Sequence, residues 1–387
     1  MRVLGVLFLA GAADAFLSSG GALWTRPGHA RSGAACAVSR TAMGPFDFLP
    51  KFGQGAGGKK AGKVKFGELE VSEMGLGTWS WGNKLLWGYD EEQDAELQAV
   101  FNLAVDRGIN LFDTGDSYGT GKLNGQSEKL LGKFMKEYAG SNKGVYPNIG
   151  TKFASYPWRL SASSIEKACD ESAARLQRPV DIGQMHWSVS NYAPWQEKAL
   201  WEGLATIYNK GMVKAVGVSN FGPKQLRKVH AYLADQGVPL AVNQVQYSLL
   251  SRSVGDEVKE VCDELGVAMI AYSPMGLGLL SGRYQPGGAA PPGLRGVLFK
   301  ERLEEVAPLL AVMEEVARAR GKSVPQVAIN WCMCKGTVPI PGARSLTQVK
   351  DSLGAMGWRL SIGEVEALEQ AARKVPRELV QNIFQTK

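Results

Sequence analysis

The sequence predicts an α/β protein folded as a single (β/α)8 (TIM) barrel. Three observations predict it. From residue 63 onward, short apolar runs alternate with amphipathic helical stretches, and that alternation implies a parallel sheet with helical crossovers. The runs number eight, the count at which such a sheet closes on itself. The rival, a doubly wound open sheet, calls for a G-x-G-x-x-G turn after its first strand, and none follows it here.

The elements read in order. Val64 to Val71 forms a small hairpin turning near Gly67, ahead of the barrel. The strand runs are Met74–Leu76, Ile109–Phe112, Pro147–Thr151, Ile182–His186, Ala215–Val218, Ala241–Val245, Ala268–Tyr272 and Val338–Ile340. A long loop is expected after the seventh. Two capping boxes mark helix starts, Ser163-x-x-Glu166 and Ser361-x-x-Glu364. Gly108 and Gly321 follow helical runs and serve as left-handed stops.

Composition sets limits. The 387 residues are 45% hydrophobic and 21% charged, ordinary for a globular chain. The net charge of +7 is concentrated in residues 1–60, which hold seven basic and two acidic residues. The remainder is nearly neutral and offers no phosphate-backbone footprint, so no nucleic-acid partner is expected. No segment supplies the eighteen uninterrupted apolar residues of a membrane span. Cys36, Cys169, Cys262, Cys332 and Cys334 show no C-x-x-C pair and no zinc-type spacing. They read as free thiols, with no metal expected.

The first sixty residues read as an address. Met1-Arg2, an apolar run and the Ala13-Asp14-Ala15 site give residues 1–15 the layout of a secretory signal peptide. Residues 16–62 begin at Phe16 and turn rich in Ser, Gly, Ala and Arg, like a transit peptide, with a Gly- and Lys-rich linker at 51–62. Together they look like a bipartite plastid leader; simple secretion is the alternative. The barrel is assigned to residues 63–387.

A barrel of this kind carries its site at the C-terminal ends of its strands. Those ends are polar here. The first strand runs into Gly77-Thr78-Trp79, and the second into Asp113-Thr114-Gly115-Asp116-Ser117-Tyr118-Gly119. Lys152 ends the third, His186 the fourth, and Ser219-Asn220 the fifth. The sixth carries Asn243-Gln244, the seventh Tyr272-Ser273-Pro274, and the eighth Pro341-Gly342-Ala343-Arg344. A tyrosine with a pKa of about 10 is a weak donor at neutral pH, and a neighbouring ammonium lowers that value. Lys152 is placed to do so for Tyr118.

These segments, with Gln184-Met185-His186-Trp187 and Ala271-Tyr272-Ser273-Pro274, resemble the aldo-keto reductases over residues 63–360. The likeness is nearest to the chloroplast-type members of plants and algae. The resemblance implies reduction of aldehydes or ketones with NADPH. It assigns Tyr118 as general acid, Lys152 and Asp113 as the pair that tunes it, and His186 as the group orienting the carbonyl. It also implies cofactor contacts from Gly77, Thr78, Trp79, Ser219, Asn220, Gln244 and Tyr272. Ser273, Leu277, Gly278, Leu279 and Ser281 would form a pyrophosphate loop. Gly342, Arg344, Gln348 and Asp351 would hold the adenosine phosphate end, Arg344 through its guanidinium fork. Ser352 stands where an Asn is common, which puts one adenine contact in question; Gly115, Met275 and Ser188 also depart from common residues. Trp79, Trp81, Trp187, Tyr192 and Trp195 suggest an aromatic-walled substrate pocket or, equally, core packing. A cofactor-binding regulatory subunit, resembling potassium-channel β subunits, is the alternative function. A sugar hydrolase would need two carboxylates at strand ends about 5–10 Å apart; the strand ends offer Asp113, with Lys152 as its neighbour instead. The physiological carbonyl substrate and the oligomeric state are not readable from the sequence.

Overall fold

The computed structural model describes residues 62–142, 144–291, 294–382 and 384–386. Cys36 and the whole of the expected leader lie outside them. A two-stranded antiparallel hairpin, β1 (Lys63–Phe66) and β2 (Leu69–Ser72), comes first. Gly67 turns it with φ 61°, a left-handed conformation that glycine adopts without a Cβ penalty.

Eight parallel strands follow: β3 (Leu76–Gly77), β4 (Leu111–Asp113), β5 (Asn148–Phe153), β6 (Ile182–Met185), β7 (Ala215–Ser219), β8 (Leu240–Gln246), β9 (Ala268–Tyr272) and β10 (Val338–Ile340). Each pairs with its sequence neighbour. The first and last meet where Gly77 bridges Gly342, and Gly75 and Gly77 donate to the carbonyls of Pro339 and Pro341. Trp81, fully buried, crosses the same seam, its indole N–H donating to Ala343 O at 2.9 Å. Glycine is required at 77: a Cβ there would stand 2.9 Å from the Ile340 carbonyl oxygen.

The helices alternate with the strands: α1 (Asp94–Asp106), α2 (Gln126–Lys136), α3 (Ala162–Leu176), α4 (Pro194–Asn209), α5 (Pro223–Asp235) and α6 (Ser253–Leu265). The segment after β9 is more than a loop. It holds a short 3-10 stretch (Gly276–Ser281), then α7 (Leu294–Arg320) and α8 (Val324–Cys334). After β10 come α9 (Leu346–Leu353) and α10 (Ile362–Arg373). Cys332 and Cys334 are both on α8, and the four described cysteines are free thiols.

One capping box holds and one does not. Ser361 and Glu364 cap α10 reciprocally. Helix α3 instead starts two residues earlier than expected, with Ser161 at its N-cap and no side-chain cap bond. Ser163 lies inside the first turn, and Glu166 pairs with Lys210. Gly108 and Gly321 are left-handed, as expected of helix stops.

Two apolar layers result. The larger lies between strands and helices. The smaller fills the barrel itself, where Phe66 and Val71 of the hairpin pack with Leu111, Ile182, Ala215, Ala241, Val242, Ile270, Val338 and Ile340. The hairpin therefore floors the barrel, and the opposite, C-terminal end is left to carry polar groups.

Candidate active site

A cavity of about 600 Å³ opens at the C-terminal ends of the strands. Tyr118, His186 and Asp113 line it, while Lys152 stands just behind, 1% exposed. Lys152 Nζ donates to Asp113 Oδ2 at 2.6 Å and to Thr114 O at 2.7 Å, and sits 4.9 Å from the centre of the Tyr118 ring. Asp113 Oδ1 accepts from Gln244 Nε2 at 2.6 Å. The carboxylate is thus gripped from both sides. The rings of Tyr118 and His186 meet edge to face, with centres 5.7 Å apart. The four residues expected from the sequence converge.

The loop bearing Tyr118 is fixed by its surroundings. Asp116, buried, accepts from Ala154 N at 3.1 Å and pairs with the partly buried Arg159 at 2.7 Å. Behind it, Thr78 and Thr114 hydrogen-bond the Ser127 hydroxyl at the start of α2. Glu128, beside Ser127, is fully buried and held by Thr151 and by Arg175, each at 2.5 Å.

Electrostatics differ from the expectation in one respect. Burial pushes the Tyr118 phenol well above its ordinary pKa, and the Asp113 charge adds to this. The Lys152 ammonium, ion-paired with Asp113 at 2.6 Å, does not outweigh these two effects in this state. Burial, opposed by Asp113, lowers the Lys152 pKa. Burial and then the positive charges of Lys152 and Arg159 hold His186 well below its ordinary value, so the imidazole is neutral. The site therefore presents a protonated phenol and a neutral imidazole.

The expected cofactor residues fall mostly on the cavity wall. Gly77, Trp79, Ser219, Asn220, Gln244, Tyr272, Ser273, Leu277, Gly278, Ser281, Gly342, Arg344, Gln348 and Asp351 all line it. Thr78 and Leu279 do not. Thr78 is a buried strut, its hydroxyl donating to Asp113 O at 2.9 Å, and Leu279 is in the core. The amide of Gly278, in the expected pyrophosphate loop, is spent on Met275 O. Asp351 accepts from Ser323 and Gln326, and Ser352, buried, lines the wall next to it. Of the four non-glycine residues with positive φ among the described residues, three are here: Asn220, Ser273 and Leu277. Such backbone persists where neighbours over-determine it, and it clusters at ligand sites. Asn220 is held by the Tyr272 hydroxyl at 2.9 Å and donates to His186 O at 3.0 Å.

Several lining residues escaped sequence reasoning. Trp87, Tyr156, Arg283, Arg295 and Phe384 are among them. Arg283 follows directly on the Gly278–Ser281 loop, and that adjacency was the available signal. Arg295 and Phe384 gave none. The aromatic wall also differs from the expectation. Trp81 is core, packed on Phe134, and Trp195 is 74% exposed and outside the cavity. Tyr192 supports the wall from behind, accepting from Trp187 Nε1 at 2.6 Å. Phe384 stacks on Trp187 with centres 5.1 Å apart.

Among the described residues there is no group of three or more His, Cys, Asp or Glu suited to a metal, and no helix long and apolar enough to cross a membrane.

Comparison with known proteins bears on this geometry. A family model described as "Aldo/keto reductase family" matches residues 73–373. The chloroplastic pyridoxal reductase of Arabidopsis thaliana is 56% identical over 328 residues, covering 84% of this chain and 90% of that protein. The glycerol dehydrogenase of Gluconobacter oxydans superposes with a TM-score of 0.69 at 25% identity, covering 83% of this chain and 98% of that one. A Bombyx mori aldo-keto reductase in complex with NADP shares the fold, with a TM-score of 0.61 at 19% identity over 81% and 93% of the two chains.

Proposed function

Because the chain belongs to the aldo/keto reductase family and is an NADP-dependent oxidoreductase, we propose that it reduces aldehydes with NADPH, using Tyr118 as proton donor. The buried Lys152–Asp113 pair against the Tyr118 ring carries this reading. The flat aromatic aldehyde pyridoxal is the proposed substrate. The name of the Arabidopsis relative supports it, as do Trp79, Tyr156, Trp187 and Phe384 on the cavity wall.

The wall fits a phosphorylated dinucleotide. Arg283, Arg295 and Arg344 face the cavity, and no carboxylate pairs with any of them among the described residues. Asn220 and Tyr272 would hold the nicotinamide end. When bound, NADPH supplies the hydride to the carbonyl carbon. The chain's own residues do the rest. The neutral His186 donates a hydrogen bond to the carbonyl oxygen and fixes its direction. Tyr118 donates the proton to that same oxygen as negative charge builds on it. An alkoxide is a far stronger base than a phenolate, so the transfer runs downhill even from a phenol of raised pKa. Lys152 then stabilises the phenolate left behind, and Asp113 and Gln244 keep Lys152 aimed at it.

Turnover of pyridoxal and other aldehydes, followed by NADPH absorbance, tests this. Tyr118→Phe is expected to lower kcat by about 10²–10⁴-fold with NADPH binding unchanged. The wild-type rate should show no His186 titration from pH 6.5 upward, and any alkaline loss should follow the lowered Lys152 ammonium rather than the raised Tyr118 phenol. Wild-type activity no greater than that of Tyr118→Phe sinks the enzymatic reading and leaves the regulatory one.

A plastid location is proposed for the same reasons of likeness: the Arabidopsis relative is chloroplastic, and residues 1–62 have a bipartite-leader composition. A reporter carrying residues 1–62 should enter plastids in an alga with secondary plastids; export of that reporter from the cell overturns the proposal.

A further inference from the structure

The helical turn Lys84–Trp87, on the loop leaving β3, is not used by the chemistry above. Asn83 caps it, accepting from Leu86 N at 3.0 Å, and Gly88 ends it with φ 61°. Lys84 N donates to Thr120 Oγ1 at 3.2 Å, tying the turn to the loop after β4. This turn delivers Trp87 to the cavity wall, against the edge of Trp79 at 5.8 Å.

Two guanidiniums converge on the Trp87 ring. Arg295, at the start of α7, lies 4.3 Å from its centre, and Arg344, after β10, lies 5.5 Å away. Arg344 also donates to the Trp87 carbonyl, and Arg295 to Leu277 O at 3.1 Å. No carboxylate separates these two charges. Burial chiefly, with Tyr284 opposing it and the like charges of Arg344 and Arg283 adding to it, lowers the Arg295 pKa. An aromatic face attracts cations and so offsets that repulsion at both neighbours at once. The Trp87 Nε1 donor is itself buried and has no hydrogen-bond partner among the described residues.

We propose that Trp87 determines cofactor selectivity by holding Arg295 and Arg344 side by side as one receptor for a phosphate monoester. The inference rests on the NADPH reading above and deepens it. Three loops, after β3, β9 and β10, meet at this ring, while the proton-transfer groups leave β4, β5 and β6. Arg344 alone could pair with a phosphate through one fork; two forks fixed in place suit a dianion, and a 2′-hydroxyl gives them nothing to bind. Losing Trp87 therefore lets the guanidiniums splay, and the loss falls on the phosphorylated dinucleotide.

Fluorescence titration of the full chain with NADPH and NADH tests this in Trp87→Leu and Trp87→Phe. Trp87→Leu is expected to weaken NADPH about ten-fold and to leave NADH binding near the wild-type value, which also shows that the variant is folded. Trp87→Phe keeps a π face and should retain most of the NADPH preference. Equal loss of both dinucleotides, or no loss of either, overturns the proposal. Wild-type protein that fails to bind NADPH overturns the cofactor reading and this proposal with it.

Discussion

Lys152→Met should lower kcat by about 10²–10⁴-fold while the Kd for NADPH stays at its wild-type value. The substitution keeps most of the side-chain volume and removes the charge. Tyr118 then loses the ammonium that sits 4.9 Å from its ring and would stabilise its phenolate. Asp113 keeps only the Gln244 contact on Oδ1, and Oδ2 is left without its donor. Removing one partner of a buried ion pair costs about 3–5 kcal/mol of stability, which a domain with about 5–15 kcal/mol survives with little to spare. A melting curve belongs beside the kinetics for that reason. Lys152 is shielded from the cavity, so cofactor affinity is the readout that separates proton transfer from binding. If Lys152→Met fails to bind NADPH while remaining folded, the lysine has been misassigned.

Gly119→Ala is the second large effect expected. Gly119 has φ 139°, and a Cβ on it would stand 1.7 Å from the backbone oxygen of Leu123. The obstacle is backbone, so no side-chain rotation relieves it. The loop itself must move, and Tyr118 is the adjacent residue. A displacement near 1 Å at a reacting group costs about 10²-fold in rate, and the strained backbone adds about 1–3 kcal/mol of destabilisation. Gly237→Ala is the control. Its φ is 70°, but nothing lies within 4 Å of the added methyl. That variant should lose some stability and no activity. Equal kcat values for the two variants would show that the Tyr118 loop does not need its present shape.

The strands were legible because each inward apolar run is short and bounded. Several extend one residue past the apolar run, to Asp113, Ser219 and Gln246, since backbone pairing continues where the side chain turns functional. The convergence of Asp113, Tyr118, Lys152 and His186 was legible for a related reason: they lie at or just past the ends of three consecutive strands. Other features were not. Ser161 and Ser163 are equally good caps by type, and only the helix's actual entry angle selects Ser161. Thr78 sits between two cavity residues in sequence, yet its side chain turns to Ser127 and the Asp113 carbonyl. Arg295 and Arg344 belong to one cluster, but α8 and β10 intervene between them, and no local pattern links them. The direction of the Tyr118 shift was misjudged because burial, and then the Asp113 charge, push the phenol up, and the sequence shows that Lys152 is near without showing how deeply the ring is buried.

The seam between β3 and β10 has a bearing on when this protein can exist at all. Trp81 and Ala343 are 262 positions apart, and the backbone bonds beside them are equally distant in sequence. Contacts of such separation form late and slowly. A growing chain can stack β3 to β9 with their helices, but it holds an open edge strand and an incomplete cavity until residues 338–343 have been made. Gly342 and Arg344, on the cavity wall, arrive with that last strand. An unfinished chain therefore lacks part of that wall, and a complete cavity is itself the sign that the barrel has closed.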